Sequence, residues 1–145
     1  MSDFVVDASV AVKWLMPSAN EPFTVEAANL LRRYVRDELD LFVPDIFWAE
    51  IGNVLWKGAR RQRWTQSAAE KAMHAMAALD FFTVPCRELL PEAFKLALAH
   101  DRTVYDCFYV ALAIQFNIEM ITADEKLANA LAARLPVKWL GALTV

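Results

Sequence analysis

The sequence predicts an α/β domain whose parallel sheet is covered by helices on both faces. Three observations carry that expectation. Five short β-rich runs recur, and their apolar residues are continuous rather than alternating, as in strands buried on both sides. The stretches between them are rich in Ala, Leu, Glu, Lys and Arg, the better helix formers. Pro44, Pro85 and Pro136 punctuate the ends of the runs. At 145 residues and 57% hydrophobic, the chain is long enough to enclose one core. No linker, repeat or low-complexity tract divides it, so residues 1–145 read as a single domain.

The elements follow in order. Phe4-Val5-Val6 is the first strand, and Ala8-Ser9-Val10-Ala11-Val12 starts a helix directly behind Asp7. Leu41-Phe42-Val43 is the second strand. The segment after Pro44 reads as a helix because Phe47, Ile51, Val54, Leu55 and Gly58 share one face, with Asp45 placed as its N-cap. Glu50 lies at the edge of that face, beside Asn53. Lys57 and Arg61 follow Glu50 on the same side, about 10 and 16 Å further along the axis at 1.5 Å of rise per residue. Phe81–Val84 is the third strand, and Asp101 suits a turn. Thr103-Val104-Tyr105-Asp106 matches the [ST]-x-x-[DE] capping box ahead of an apolar helix. Glu119–Thr122 is the fourth strand, Asp124 caps a helix beginning Glu125-Lys126-Leu127, and Val137–Leu140 is the fifth strand.

Composition narrows the function. Charged residues make up 23%, which argues against disorder, and a formal charge of −3 argues against a protein that coats nucleic acid non-specifically. A nuclease stays open, because an acidic centre can outweigh a local basic strip in the sum. Cys86 and Cys107 are too few for a disulfide framework and lack metal-ligand spacing, so both read as small core residues in a reducing compartment. Met1-Ser2-Asp3-Phe4 shows no basic leader, and no apolar run reaches the roughly 18 residues of a membrane span. A cytoplasmic protein is expected. Five Trp and nine Phe are a surplus that a partner chain could cover, with Trp14, Phe47, Trp48 and Trp56 as candidates, although packing in the core accounts for these residues equally well.

The chemistry concentrates in four acids, Asp7, Glu50, Asp106 and Asp124, each beside an apolar segment. An ionised carboxylate at the end of a buried strand is costly unless something offsets it. Converging acids also repel, by roughly 4 kcal/mol per pair at about 4 Å and an effective dielectric near 20. A divalent cation relieves both costs. An oxygen-only donor set favours Mg²⁺ or Mn²⁺ over zinc. Each acid also has a simpler account: Asp7, Asp106 and Asp124 suit helix caps, and Glu50 suits a solvated helix edge. Capping and metal binding are compatible, since ligands of open α/β sheets gather at the carboxyl ends of strands. Lys57, Arg60, Arg61 and Arg63, followed by Trp64, read either as a solvated helix end or as a strip that tracks phosphates. Gly52, Gly58 and Gly141 form no phosphate-cradling loop, His74 and His100 stand alone, and Ser9 sits in no G-x-S-x-G elbow.

With those residues in view, the chain resembles the PIN-domain family, and within it the VapC-type toxins of toxin–antitoxin pairs. The marks are Val5-Val6-Asp7-Ala8-Ser9, Pro44-Asp45-Ile46-Phe47-Trp48-Ala49-Glu50, Thr103-Val104-Tyr105-Asp106 and Ile121-Thr122-Ala123-Asp124, in an order that covers essentially the whole chain. The resemblance implies a three-layer α/β/α fold around a five-stranded sheet of order 3-2-1-4-5. It implies an endoribonuclease dependent on Mg²⁺, with Mn²⁺ as substitute. Asp7 and Asp106 would be the principal ligands, Asp124 a further one, and Glu50 either a ligand or the base that orients water. The family's small hydroxyl positions map onto Ser9 and Thr122, which with Asn53 are read as fixing those carboxylates, and the strip Lys57, Arg60, Arg61 and Arg63 is read as the part that would meet RNA. A VapB-like antitoxin and a homodimer are the implied partners. Two departures from the family pattern, Cys107 after the Tyr-Asp pair and Asp101-Arg102 in place of a glycine-containing turn, touch no proposed ligand.

Rival classes fit less well. A receiver domain needs an Asp after the third strand, where the chain reads Thr83-Val84-Pro85-Cys86, and an Asp-x-Asp phosphatase needs an acid where Ser9 stands. A catalytically inactive module of the same fold, acting by protein or RNA binding, is the alternative.

Overall fold

The structure, a computed structural model, describes residues 3–15 and 21–143; Met1 and Ser2, part of the N-terminus read above, lie outside the described residues. The chain alternates β1 (Phe4–Val6), α1 (Ala8–Leu15), α2 (Thr24–Val35), β2 (Leu41–Pro44), α3 (Ile46–Arg60), α4 (Gln66–Ala77), β3 (Phe82–Val84), α5 (Cys86–His100), α6 (Val104–Phe116), β4 (Glu119–Thr122), α7 (Glu125–Leu131) and β5 (Val137–Trp139), and a 3₁₀ turn (Leu140–Ala142) follows. All five strands are parallel, in the order β3-β2-β1-β4-β5. The expected order is therefore observed. Each strand starts and stops within one residue of its expected bounds.

Burial explains why the central strands read as continuous apolar runs. Val5 and Val6 of β1 and Met120 and Ile121 of β4 are fully covered, and each such side chain contributes roughly 1.5–3 kcal/mol of burial. At the sheet edge, β3 departs from the expectation: Phe82 and Thr83 are exposed, because that strand pairs on one side only. Helix α6 is buried over seven successive residues, Cys107–Ala113, which requires an apolar surface all round. It packs on α5 and on the sheet, so it is a central element rather than a surface helix.

The aromatic surplus is consumed largely inside. Phe47 is fully buried, and Trp14, Tyr34, Phe47 and Trp48 all place their rings within about 6 Å of Phe81. Of the four aromatics expected to meet a partner, Phe47 is thereby ruled out, and Trp56 is the one that stands open, at 56% exposure. Among the described residues no helix is long and apolar enough to cross a membrane.

Candidate active site

The sheet order reverses between β1 and β4, and the crevice at their carboxyl ends is where open α/β sheets bind ligands. Asp7 follows the last residue of β1, and Val6 pairs with Ile121 of β4 in parallel register. The Asp7 amide donates to the carbonyl of Ile121 at 3.4 Å, fixing the backbone before helix α1 begins. The carboxylate is 8% exposed and accepts three hydrogen bonds: Ser9 Oγ to Oδ1 at 2.5 Å, Thr122 Oγ1 to Oδ2 at 2.6 Å, and the Val10 amide to Oδ1 at 3.3 Å. The Val10 bond is the N-cap expected of Asp7, so capping coexists with its place in the crevice.

The hydroxyl directions are set by counting protons. Ser9 Oγ accepts from the Ala123 amide at 2.9 Å and Thr122 Oγ1 accepts from the Asp124 amide at 3.1 Å. Each hydroxyl has one hydrogen left, and both point at Asp7. Burial nevertheless wins over these donors and pushes the Asp7 carboxyl up to about 6, with the Glu50 charge adding to the rise. An acid so placed is poised to bind a counter-charge.

Glu50 projects from the middle of α3 and is half-buried. Its Oε1 accepts the hydroxyl of Tyr109 at 2.5 Å, and burial raises its carboxyl despite that bond, with the Asp106 charge acting in the same direction. Asp106 opens α6, where Thr103 Oγ1 accepts its amide at 3.2 Å as the capping box requires. Its carboxyl is raised by burial and by Asp124, while Arg102 pulls it down. Arg102, set aside in the sequence as remote from the ligands, thus acts on one of them. Asp124 is exposed and caps α7, its Oδ1 accepting the Leu127 amide at 3.2 Å.

The four acids are therefore coupled in sequence, Asp7 to Glu50, Glu50 to Asp106 and Asp106 to Asp124, by the charge of each on the next. Among the described residues no three His, Cys, Asp or Glu side chains draw together as one metal-holding group. The expectation that all four meet at a single point is relaxed to this chain of neighbours, and repulsion between like carboxylates favours the spread. The donors remain all oxygen, and burial and mutual repulsion penalise the charge on three of them, a cost that a hard dication offsets. By donor chemistry, though not by convergence, these residues suit a hard dication such as Mg²⁺ or Mn²⁺.

Other expected residues fall differently. Asn53 is exposed on α3 and is absent from the hydrogen bonds of the four carboxylates. Asp45 does not cap its own helix; its Oδ1 accepts the Cys86 amide at 2.9 Å and so caps α5 across the sheet edge. Cys107 is buried and Cys86 half-buried, and burial pushes both thiols up to about 11, so neither is a nucleophile at neutral pH. Tyr109 was missed in the sequence, although an apolar helix that buries a phenol must supply its hydroxyl with a partner.

The basic cluster divides. Lys57, Arg61, Arg63 and Trp64 line a cleft of about 430 Å³ between α1 and the end of α3, with Val12, Glu21, Val54 and Gly58. Gly58 permits this shape, because a Cβ there would run into the Trp64 indole. Arg60 leaves the cleft and sits over the Trp56 ring, 5.5 Å from its centre.

A parallel α/β domain with an acid-lined crevice at its switch point defines the class. A family model of the PIN domain matches residues 4–131, and the chain belongs to that family. Ribonuclease VapC3 of Pyrobaculum aerophilum is 33% identical over 129 residues, which cover 86% of this chain and 92% of that protein. Among solved structures, PAE2754 from Pyrobaculum aerophilum superposes with a TM-score of 0.67 at 22% identity, covering 97% of this chain and 85% of that one. A toxin–antitoxin complex from Klebsiella pneumoniae gives a TM-score of 0.62 at 15% identity, covering 94% and 96%.

Proposed function

We propose that the protein is a Mg²⁺- or Mn²⁺-dependent endoribonuclease that acts as the toxin of a toxin–antitoxin pair. The observation that carries the reading is Asp7: a buried carboxylate, clamped by Ser9 and Thr122 at the switch point, raised by its surroundings and coupled through Glu50 to Asp106 and Asp124. The ribonuclease name of the 33%-identical relative supports the substrate class. Asp106 and Asp124 would close toward Asp7 to hold the ion, with Glu50 beside them, since without it the acids stand apart as a chain of neighbours. When bound, the ion supplies Lewis-acid stabilisation of the charge that develops on a phosphodiester and acidifies water in the crevice.

The remaining work falls to this chain's side chains. Ser9 and Thr122 keep Asp7 ionised and fixed in one rotamer. Glu50 keeps Oε2 free to accept a proton from the attacking water, since Tyr109 occupies Oε1. Lys57, Arg61 and Arg63 bind backbone phosphates flanking the cut, and Trp64 offers a ring on which a base can stack.

Two open apolar surfaces suit partners. A groove of about 530 Å³ between α1 and α2, lined by Trp14, Val25, Ala28, Leu31 and Val35, fits an apolar segment of an antitoxin; Val25 and Val35 are each 65% exposed. At the β3 edge, exposed Phe82 and Phe116 pack ring to ring, which suits a second copy of the chain.

The test is cleavage of a panel of structured RNAs by purified protein under Mg²⁺ titration, with Asp7→Asn in parallel. Cleavage that rises with Mg²⁺, stops with chelator and is lost in Asp7→Asn is expected. RNA or protein binding without cleavage at any ion concentration would favour the inactive-module alternative.

A further inference from the structure

Tyr109 lies three residues after Asp106 on α6, so the two share one side of the helix. The phenol is 3% exposed in a stretch that is otherwise apolar from Cys107 to Ala113. Its hydroxyl donates to Glu50 Oε1 at 2.5 Å, a bond between residues 59 apart in sequence. The direction is fixed, because an ionised carboxylate only accepts. Glu50 itself stands half-buried on a different helix, with a side chain of three free torsions and no other side-chain hydrogen bond among the described residues.

We propose that Tyr109 is a positioning residue for Glu50: its hydroxyl occupies Oε1, holds the carboxylate in one orientation and leaves Oε2 as the oxygen offered to the crevice. The same helix then sets both Asp106, by carrying it, and Glu50, by tying it down. The separation of these two acids is fixed by one rigid element rather than by the packing of α3 against α6. This inference rests on reading Glu50 as part of a metal-dependent nuclease site.

The test is a double-mutant cycle over wild type, Tyr109→Phe, Glu50→Gln and the double variant. Mn²⁺ affinity is measured by calorimetry without RNA, kcat and KM by RNA cleavage, and the fold by thermal melting. Tyr109→Phe keeps the ring and its packing, so the variant folds. It is expected to lower kcat and weaken Mn²⁺ binding, each by about 10–100-fold as for other groups that orient ligands, with KM for RNA little changed. In the Glu50→Gln background the same change is expected to alter neither, because the group it orients is already disabled. A purely structural tyrosine would lower the melting temperature equally in both backgrounds and leave kcat and Mn²⁺ affinity at wild-type values, which would overturn the proposal alone. Equal, additive losses in both backgrounds would overturn it too. Wild-type protein that neither takes up Mn²⁺ nor cuts RNA would overturn the nuclease reading and this inference with it.

Discussion

The four acids fall into two pairs that are held in opposite ways. Asp7 and Glu50, the inner pair, are gripped through their carboxylates by side-chain hydroxyls: nearby Ser9 and distant Thr122 on one, distant Tyr109 on the other. Asp106 and Asp124, the outer pair, stand at helix starts, where the capping hydrogen bonds link each to its own first turn. The inner pair is costly to ionise and fixed in place. In the outer pair Asp124 is exposed and Asp106 is half-buried like Glu50, and neither carboxylate is gripped by a hydroxyl from another element. A rigid, desolvated acid beside adaptable ones is an arrangement in which a dication gains most from the first and is completed by the second. It also separates two kinds of substitution, those that relieve burial and those that remove a ligand.

The largest effect expected from breaking this contrast is at Asp7. Asp7→Asn should abolish cleavage and yet make the ion-free protein more stable. Raising the carboxyl from 3.8 to about 6 corresponds to roughly 3 kcal/mol of unfavourable ionisation at neutral pH. Removing the charge should therefore raise Tm by several degrees, at about 2–4 °C per kcal/mol for a chain of this size. The sign in pH follows. The folded protein binds this proton more tightly than the unfolded chain, so the penalty is full above pH 6 and disappears below pH 4. The Tm gap between Asp7→Asn and wild type should close as pH falls through that window, as differential scanning calorimetry would show. A gap that is absent at pH 7, or that widens on acidification, would mean Asp7 is not the strained group.

A smaller effect is expected from loosening the grip while keeping the acid. Thr122→Val preserves shape but takes the donor from Asp7 Oδ2 and the acceptor from the Asp124 amide. Cleavage should fall about 10–100-fold, as for other groups that orient ligands. Stability should drop by about 1–3 kcal/mol, since a charged acceptor is left unpaired. Chemical denaturation and single-turnover kinetics together read both. A fall in stability with full activity would make Thr122 a structural residue only.

The contrast also marks what the sequence can disclose. Strands, the capping box at Thr103 and the caps at Asp7 and Asp124 were legible because they depend on residues within a few positions of one another. Asp45 was misassigned for the complementary reason: its partner, Cys86, is 41 residues away and belongs to another helix. The Tyr109 bond to Glu50 and the pull of Arg102 on Asp106 are likewise tertiary events with no local pattern. Phe47 is open in the sequence between a partner surface and the core, and only the tertiary packing of Phe81 and its neighbours assigns it to the core. The acids could be named from the chain, but the order in which they are coupled could not.

Ion uptake by the acid crevice is tested most directly by calorimetric titration of wild-type protein and Asp7→Asn with Mn²⁺ at pH 7.5 in the absence of RNA. Saturable uptake by wild type, lost in Asp7→Asn, is the expected result. No uptake by wild type, or equal uptake by both proteins, would contradict a cation site built on Asp7.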